Sequence, residues 1–173
     1  AMGFLWSDEH RFQTWLEVEL AVLDGWSAAG VIPRDAVDRI RAHARINPER
    51  IAQIEAVTNH DVIAFVEQIG ETIGPDASYL HYGLTSSDVL DTSLAILLRE
   101  AGGVIRQDLT ELADALREKA FAYKDLLVMG RTHGVHAEIL TLGYRIAGWR
   151  QEILRDIDRM DAAIADITVG KIS

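Results

Sequence analysis

The sequence predicts an all-α protein, on three observations. Apolar residues recur every three or four positions through two long stretches, about 88–123 and 142–167. Only three prolines interrupt 173 residues. No strand-like alternation, internal repeat or low-complexity tract is apparent. The expected organisation is a small helical domain over 1–84 followed by part of a long-helix bundle over 85–173.

Each element has a local reason. Ser7, followed by Asp8 and Glu9, supplies an N-cap oxygen and acidic side chains for the positive end of a helix dipole, so a helix is expected from there to Gly30. Trp15, Leu16, Val18, Leu20, Leu23 and Trp26 occupy more than one face of it, which predicts heavy burial. Pro33 and Pro48, the second behind Asn47, start two short helices over about 34–44 and 48–57. His60-Asp61 opens another, which Gly74-Pro75 closes. From Asp76 to Ser87 the chain reads as a polar loop rich in hydrogen-bonding groups, a place where sites are commonly built.

Ser86 or Ser87 then caps a helix of about 35 residues, roughly 50 Å long at 1.5 Å per residue. Leu90, Leu94, Leu97, Ala101, Val104, Leu109, Leu112 and Leu116 form its apolar stripe. A second long helix carries Leu142, Ile146, Trp149, Ile153, Ile157, Met160, Ile164 and Ile167 at bundle spacing. The charged residues between these positions, among them Arg150, Glu152, Arg155 and Asp156, are assigned to a solvated face without chemistry.

Composition narrows the classes of function. With 49% hydrophobic and 25% charged residues the chain is expected to be ordered. The absence of cysteine excludes a disulfide scaffold and any thiolate site, and is compatible with a reducing cytoplasm. A formal net charge of -10 opposes general nucleic-acid binding. No apolar run approaches the ~20 residues that span a bilayer, so no membrane role is expected.

The chemistry concentrates in Gly130-Arg131-Thr132-His133-Gly134-Val135-His136-Ala137-Glu138. Imidazole titrates at about 6.5 when unperturbed, so two histidines three apart suit proton transfer near neutrality. A solvated connection with a chance histidine pair is the plainer alternative. The pair lacks the HExxH pattern of a specific metal site, and no metal is expected. His136 and Glu138 read as structural partners of the connection, and His10 and His43 as surface residues.

Three motifs carry a family resemblance: Thr58-Asn59-His60-Asp61-Val62, His81-Tyr82-Gly83-Leu84-Thr85-Ser86-Ser87-Asp88-Val89, and the Gly130–Glu138 stretch. Together they resemble the adenylosuccinate lyases of the fumarase/aspartase superfamily, over nearly the whole chain from about Trp6. The resemblance implies a long-helix bundle fold and a β-elimination without redox or organic cofactor. Adenylosuccinate would give AMP and fumarate, and the succinyl-carboxamide ribotide of purine synthesis would lose fumarate likewise. His133 matches the family's general acid and His60 the second active-site histidine. His81 matches a histidine associated with the nucleotide phosphate, and Thr85 and Ser86 the hydroxyls that hold the succinyl carboxylate. Thr132 and Asp61 are expected to contact or orient the ligand and its histidines. Asn59 stands where the family often has arginine, so either its amide contacts replace the guanidinium or the phosphate grip differs.

The resemblance also implies a cytoplasmic homotetramer whose active sites each draw on three subunits. The family's N-terminal Arg-Tyr pair would precede Ala1, and its serine loop with the general base would follow Ser173. A fragment inactive by itself is therefore expected. Two other readings stay open: another lyase or cycloisomerase of the superfamily, and a non-catalytic helical interaction module.

Overall fold

Local capping sets where the helices begin. In a computed structural model that describes residues 1–173, a single turn, α1 (Met2–Leu5), leads to α2 (Asp8–Ala28). Ser7 Oγ accepts the His10 N–H at 3.2 Å, with Asp8 and Glu9 in the first turn as the dipole favours. Next come α3 (Arg34–His43) behind Pro33 and α4 (Pro48–Thr58) behind Asn47, whose Oδ1 accepts the Arg50 N–H at 3.1 Å. Then follow α5 (Asp61–Ile73), a 3₁₀ turn (Gly74–Tyr79) and the 37-residue α6 (Ser86–Ala122). Two strands, β1 (Leu127–Thr132) and β2 (Val135–Thr141), precede α7 (Leu142–Ile167). The all-α expectation holds apart from this small hairpin.

The chain divides into two compact units, Ala1–Leu98 with Thr168–Ser173, and Arg99–Ile167. The first has the larger core. Phe12, Trp15 and Leu23 of α2 pack with Val37 and Ile40 of α3, Ile51 of α4, Phe65 and Ile69 of α5, and Val89 at the start of α6. Trp15 meets Phe65 edge-on with ring centroids 5.4 Å apart, a favoured aromatic geometry. Burying each such side chain contributes about 1.5–3 kcal/mol. The buried Gln68 is satisfied by the α3–α4 connection, accepting from the Asn47 N–H at 3.0 Å and donating to the Arg45 carbonyl at 3.0 Å. This is how an amide can lie in an apolar core without loss.

The second unit joins the rest of α6 to α7 through the hairpin. Gly102 lies so close to α7 that a Cβ there would stand 2.8 Å from Ile164 Cγ1. Arg106 pairs with Asp161, and Arg150 Nε donates to the Ala113 carbonyl at 3.2 Å. At the start of α7 the Leu142 and Gly143 N–H groups donate to the carbonyls of Leu126 and Tyr123 at 2.8 and 2.9 Å.

The hairpin corrects the sequence reading, which found no strand and placed an irregular connection here. β1 and β2 pair antiparallel from Leu127 opposite Thr141 to Thr132 opposite Val135, with a bulge between Met129 and Arg131. The physical reason for the miss is that neither face is consistently buried: residues 131–139 are all exposed. Alternation marks only strands with one face in a core. The available signal was the two-residue step His133-Gly134 between Thr132 and Val135. Both step residues have positive φ, 50° and 73°, as a type I′ hairpin turn requires.

Candidate active site

The residues singled out by sequence fall into both units. In the first unit they gather around the start of α6. Because the helix begins at Ser86, the cap position belongs to Thr85 rather than to either serine. The Thr85 N–H donates to Asp88 Oδ2 at 2.7 Å, and the Asp88 N–H donates back to the Thr85 carbonyl at 3.0 Å. An acidic residue at the third helical position closing on the cap residue is one half of a capping box. It leaves the serine hydroxyls free for other partners.

Ser86 Oγ has one in His60, whose Nε2 lies 3.4 Å away. His60 is itself the cap of α5: its Nδ1 accepts the Ile63 N–H at 3.3 Å. A ring nitrogen that accepts from an amide carries no proton, so the neutral ring bears its proton on Nε2 and presents it to Ser86. Capping thus sets the tautomer. Asp61 Oδ1 stands 3.5 Å from His60 Nδ1 and accepts the Val62 N–H at 2.7 Å, which fixes it beside the ring.

Asn59, the residue before His60, ends α4 in the left-handed conformation at φ 52°. Asparagine tolerates that region better than most residues. Its side-chain amide donates to the Val57 carbonyl at 3.3 Å, so its visible work is to turn the chain between α4 and α5.

His81 is held by a residue the sequence reading passed over. Glu19, in the middle of α2 and almost wholly buried, accepts the His81 N–H on Oε2 at 2.9 Å and meets His81 Nδ1 with Oε1 at 2.6 Å. The hydrogen bond to Glu19 raises the His81 pKa above the ordinary histidine value, against a smaller lowering by burial. With Nδ1 engaged, Nε2 is the nitrogen left for a ligand. The signal was present: Glu19 is an acid between Val18 and Leu20 on an otherwise apolar face, where an unpaired charge is not tolerated.

Asp88 was also assigned no role by sequence. Fully buried, it receives Lys171 Nζ at 2.8 Å and the Ser173 N–H and hydroxyl, each at 2.9 Å, all on Oδ1. These donors, led by the Lys171 ammonium, hold its carboxyl far below the usual carboxylate range. Thr85 Oγ1 lies 3.4 Å from Ser173 Oγ.

In the second unit, Thr132 ends β1, and His133 forms the turn with Gly134. Both side chains are exposed. His136 stands opposite Arg131 in the strand ladder, and Glu138 is exposed on β2. No group of three or more His, Asp or Glu side chains converges as metal ligands, and no helix is long and apolar enough to cross a membrane.

The arrangement within the first unit offers hydroxyl and imidazole donors at one helix start, suited to an anionic ligand. Several known proteins resemble this chain over nearly its whole length. The chain is 45% identical over 172 residues to the adenylosuccinate lyase of Bacillus subtilis and 48% identical over 172 residues to that of Thermotoga maritima. Each match covers 99% of this chain and 40% of the relative, so the chain spans well under half the length of these curated relatives. Among solved structures, a fumarate lyase from Mesorhizobium sp. BNC1 superposes with a TM-score of 0.94 at 27% identity, covering 99% of this chain and 41% of the other. The 3-carboxy-cis,cis-muconate lactonizing enzyme of Pseudomonas putida does so at 0.91 and 32% identity, with coverages of 99% and 41%. The Lyase family model matches residues 1–173, and the chain belongs to that family.

Proposed function

We propose that this chain is part of an adenylosuccinate lyase, an enzyme that eliminates fumarate from adenylosuccinate and from the succinyl-carboxamide ribotide. The observation that carries the reading is the His60–Ser86 approach of 3.4 Å, which joins two of the three family motifs at one helix start. Identities of 45% and 48% to adenylosuccinate lyases, against 32% to the muconate lactonizing enzyme, favour this substrate class over a cycloisomerase.

In the elimination a base takes the proton beside a substrate carboxylate, and the electron pair left behind spreads into that carboxylate. The pair then forms the carbon–carbon double bond as the C–N bond breaks, and His133 protonates the departing purine nitrogen. Thr85 and Ser86 hold the succinyl carboxylate by hydroxyl donation. His60 presents its Nε2 proton at Ser86 and assists binding and proton traffic. His81 offers Nε2 to the nucleotide phosphate. Thr132 and Asp61 orient the ligand and its histidines, while Asn59 replaces the arginine often found before His60. The general base lies in a serine loop outside these 173 residues, so this chain alone does not turn over.

Exposed apolar side chains on the second unit, Leu112, Phe121, Tyr144 and Trp149, support assembly with other copies. The proposed assembly is a cytoplasmic homotetramer with shared active sites.

Incubation of the full-length polypeptide separately with adenylosuccinate, argininosuccinate and carboxymuconate tests the reading. Fumarate release from adenylosuccinate alone is the expected result. Preference for another of the three overturns it. Fumarate release at an enzymatic rate by the isolated 173-residue chain would overturn the assignment of the base to a segment outside it.

A further inference from the structure

Asp88 carries an unusual burden for a residue one turn into a helix. Its carboxylate is shut off from water, and an ionised carboxylate survives there only when its lone pairs are filled. Oδ2 is filled by the Thr85 N–H, and Oδ1 by the Lys171 ammonium and both donors of Ser173. Lys171 is tied down in its turn. Its N–H donates to Thr92 Oγ1 at 3.0 Å, and the same hydroxyl donates to the Lys171 carbonyl at 3.1 Å. The segment 168–173 is thereby fastened along the first two turns of α6, where Thr85 and Ser86 stand.

We propose that Asp88 and Lys171 act as a positioning pair for anion binding at Thr85 and Ser86: the carboxylate fixes the backbone that carries the hydroxyls, and the ammonium cancels its charge. The proposal rests on the reading of Thr85 and Ser86 as the holders of a substrate carboxylate. It follows from a conflict that the arrangement resolves. Accepting the Thr85 N–H places a buried negative charge within one helical turn of a site that must accept another. Like charges at that separation oppose binding strongly when water is excluded. Lys171 removes the conflict while leaving the capping geometry intact. Ser173 contributes two neutral donors, its N–H and its hydroxyl.

The test uses the full-length polypeptide as Lys171→Met, Asp88→Asn and the double variant, with steady-state kinetics on adenylosuccinate. Lys171→Met is expected to raise KM at least tenfold with a smaller change in kcat, because it leaves Asp88 uncompensated. The double variant replaces the ion pair with a neutral amide whose one oxygen still accepts the Thr85 N–H while its NH2 faces Ser173, and is expected to recover KM to within about threefold of wild type. A pair that served only to hold the fold together would make the double variant no better than Lys171→Met. That result, or a KM within twofold of wild type in Lys171→Met, overturns the proposal.

A second readout is independent of activity. Hydrogen exchange at the Thr85 and Ser173 amides is expected to accelerate at least tenfold in Asp88→Ala, or at one of the two in Asp88→Asn should Asp88→Ala fail to fold, with α2 amides unchanged. Unchanged exchange at both amides overturns the positioning role. A wild-type protein inert towards adenylosuccinate defeats the functional reading instead, and the exchange result then decides the positioning role on its own.

Discussion

Glu19 grips His81 twice, with one carboxylate oxygen on the ring Nδ1 at 2.6 Å and the other on the backbone N–H at 2.9 Å. The two residues are 62 positions apart, and the clamp fixes both the ring and the left-handed backbone of His81, at φ 60°. Non-glycine residues reach that conformation at a cost, so a specific restraint there has a purpose. The same carboxylate raises the His81 pKa. A histidine whose folded pKa lies above its unfolded value stabilises the fold fully below the unfolded pKa, near 6.5, and loses that contribution as pH rises through the folded value. Glu19→Gln is therefore expected to bring the His81 midpoint down in an NMR titration. The melting-temperature advantage of wild type over Glu19→Gln should be larger at pH 6 than at pH 9. Identical His81 midpoints in the two proteins would show that Glu19 does not set its protonation.

The turn from the hairpin into α7 depends on a glycine for space rather than for dihedral freedom. A Cβ at Gly143 would stand 2.3 Å from the Ala120 carbonyl oxygen and 2.6 Å from Lys124 Cα, both of them backbone atoms that cannot rotate away. Overpacking of this kind destabilises by about 1–3 kcal/mol. Gly143→Ala should lower the melting temperature by several degrees, whereas Gly148→Ala, with open space at the same helix, should hold or raise it. Equal melting temperatures for the two variants would mean that α6 and α7 do not approach as described.

Gly130 makes a related but separate demand. It sits in the bulge between Met129 and Arg131, and a Cβ there would meet the Glu138 carbonyl oxygen at 2.6 Å. Bulges place one residue close to the opposite strand, and glycine suits that position. Gly130→Ala is expected to disrupt the ladder between β1 and β2, seen as loss of cross-strand amide contacts from Arg131 to His136 by NMR. Helical content by circular dichroism should barely change. An intact Arg131–His136 pairing in the variant would refute this account of the bulge.

How much of this was legible beforehand depended on whether burial leaves a pattern. Helices announced themselves through Ser7, Asn47 and Pro48, because capping chemistry is local and lies within three or four residues of the boundary. The hairpin did not, because both its faces are exposed and its one local signal, His133-Gly134, looked like part of a polar motif. His60, His81, Thr85, Ser86 and His133 were singled out through motifs, which group residues by chain neighbourhood. Glu19 and Lys171 were missed because each reaches its partner across more than 60 residues. Neither spacing nor periodicity encodes such a contact. Only the anomaly of an acid within an apolar helix, at Glu19, hinted at a buried partner.

His60 combines two jobs that substitution can separate, since Nδ1 caps α5 and Nε2 faces Ser86. Asparagine places an acceptor near the Nδ1 position and nothing at Nε2. Glutamine reaches towards the Nε2 position and gives up the cap. Loss of an N-cap acceptor costs about 1 kcal/mol, and removal of a residue engaged in proton transfer lowers rates by about 10²–10⁴-fold. In the full-length polypeptide, His60→Asn should keep the wild-type melting temperature and lose at least a hundredfold in kcat/KM for adenylosuccinate. His60→Gln should melt lower than His60→Asn, by about a degree or two, while retaining more activity than His60→Asn. If both variants lost stability and activity in proportion, His60 would act through the fold alone, and the chemistry assigned to its Nε2 would have to be withdrawn.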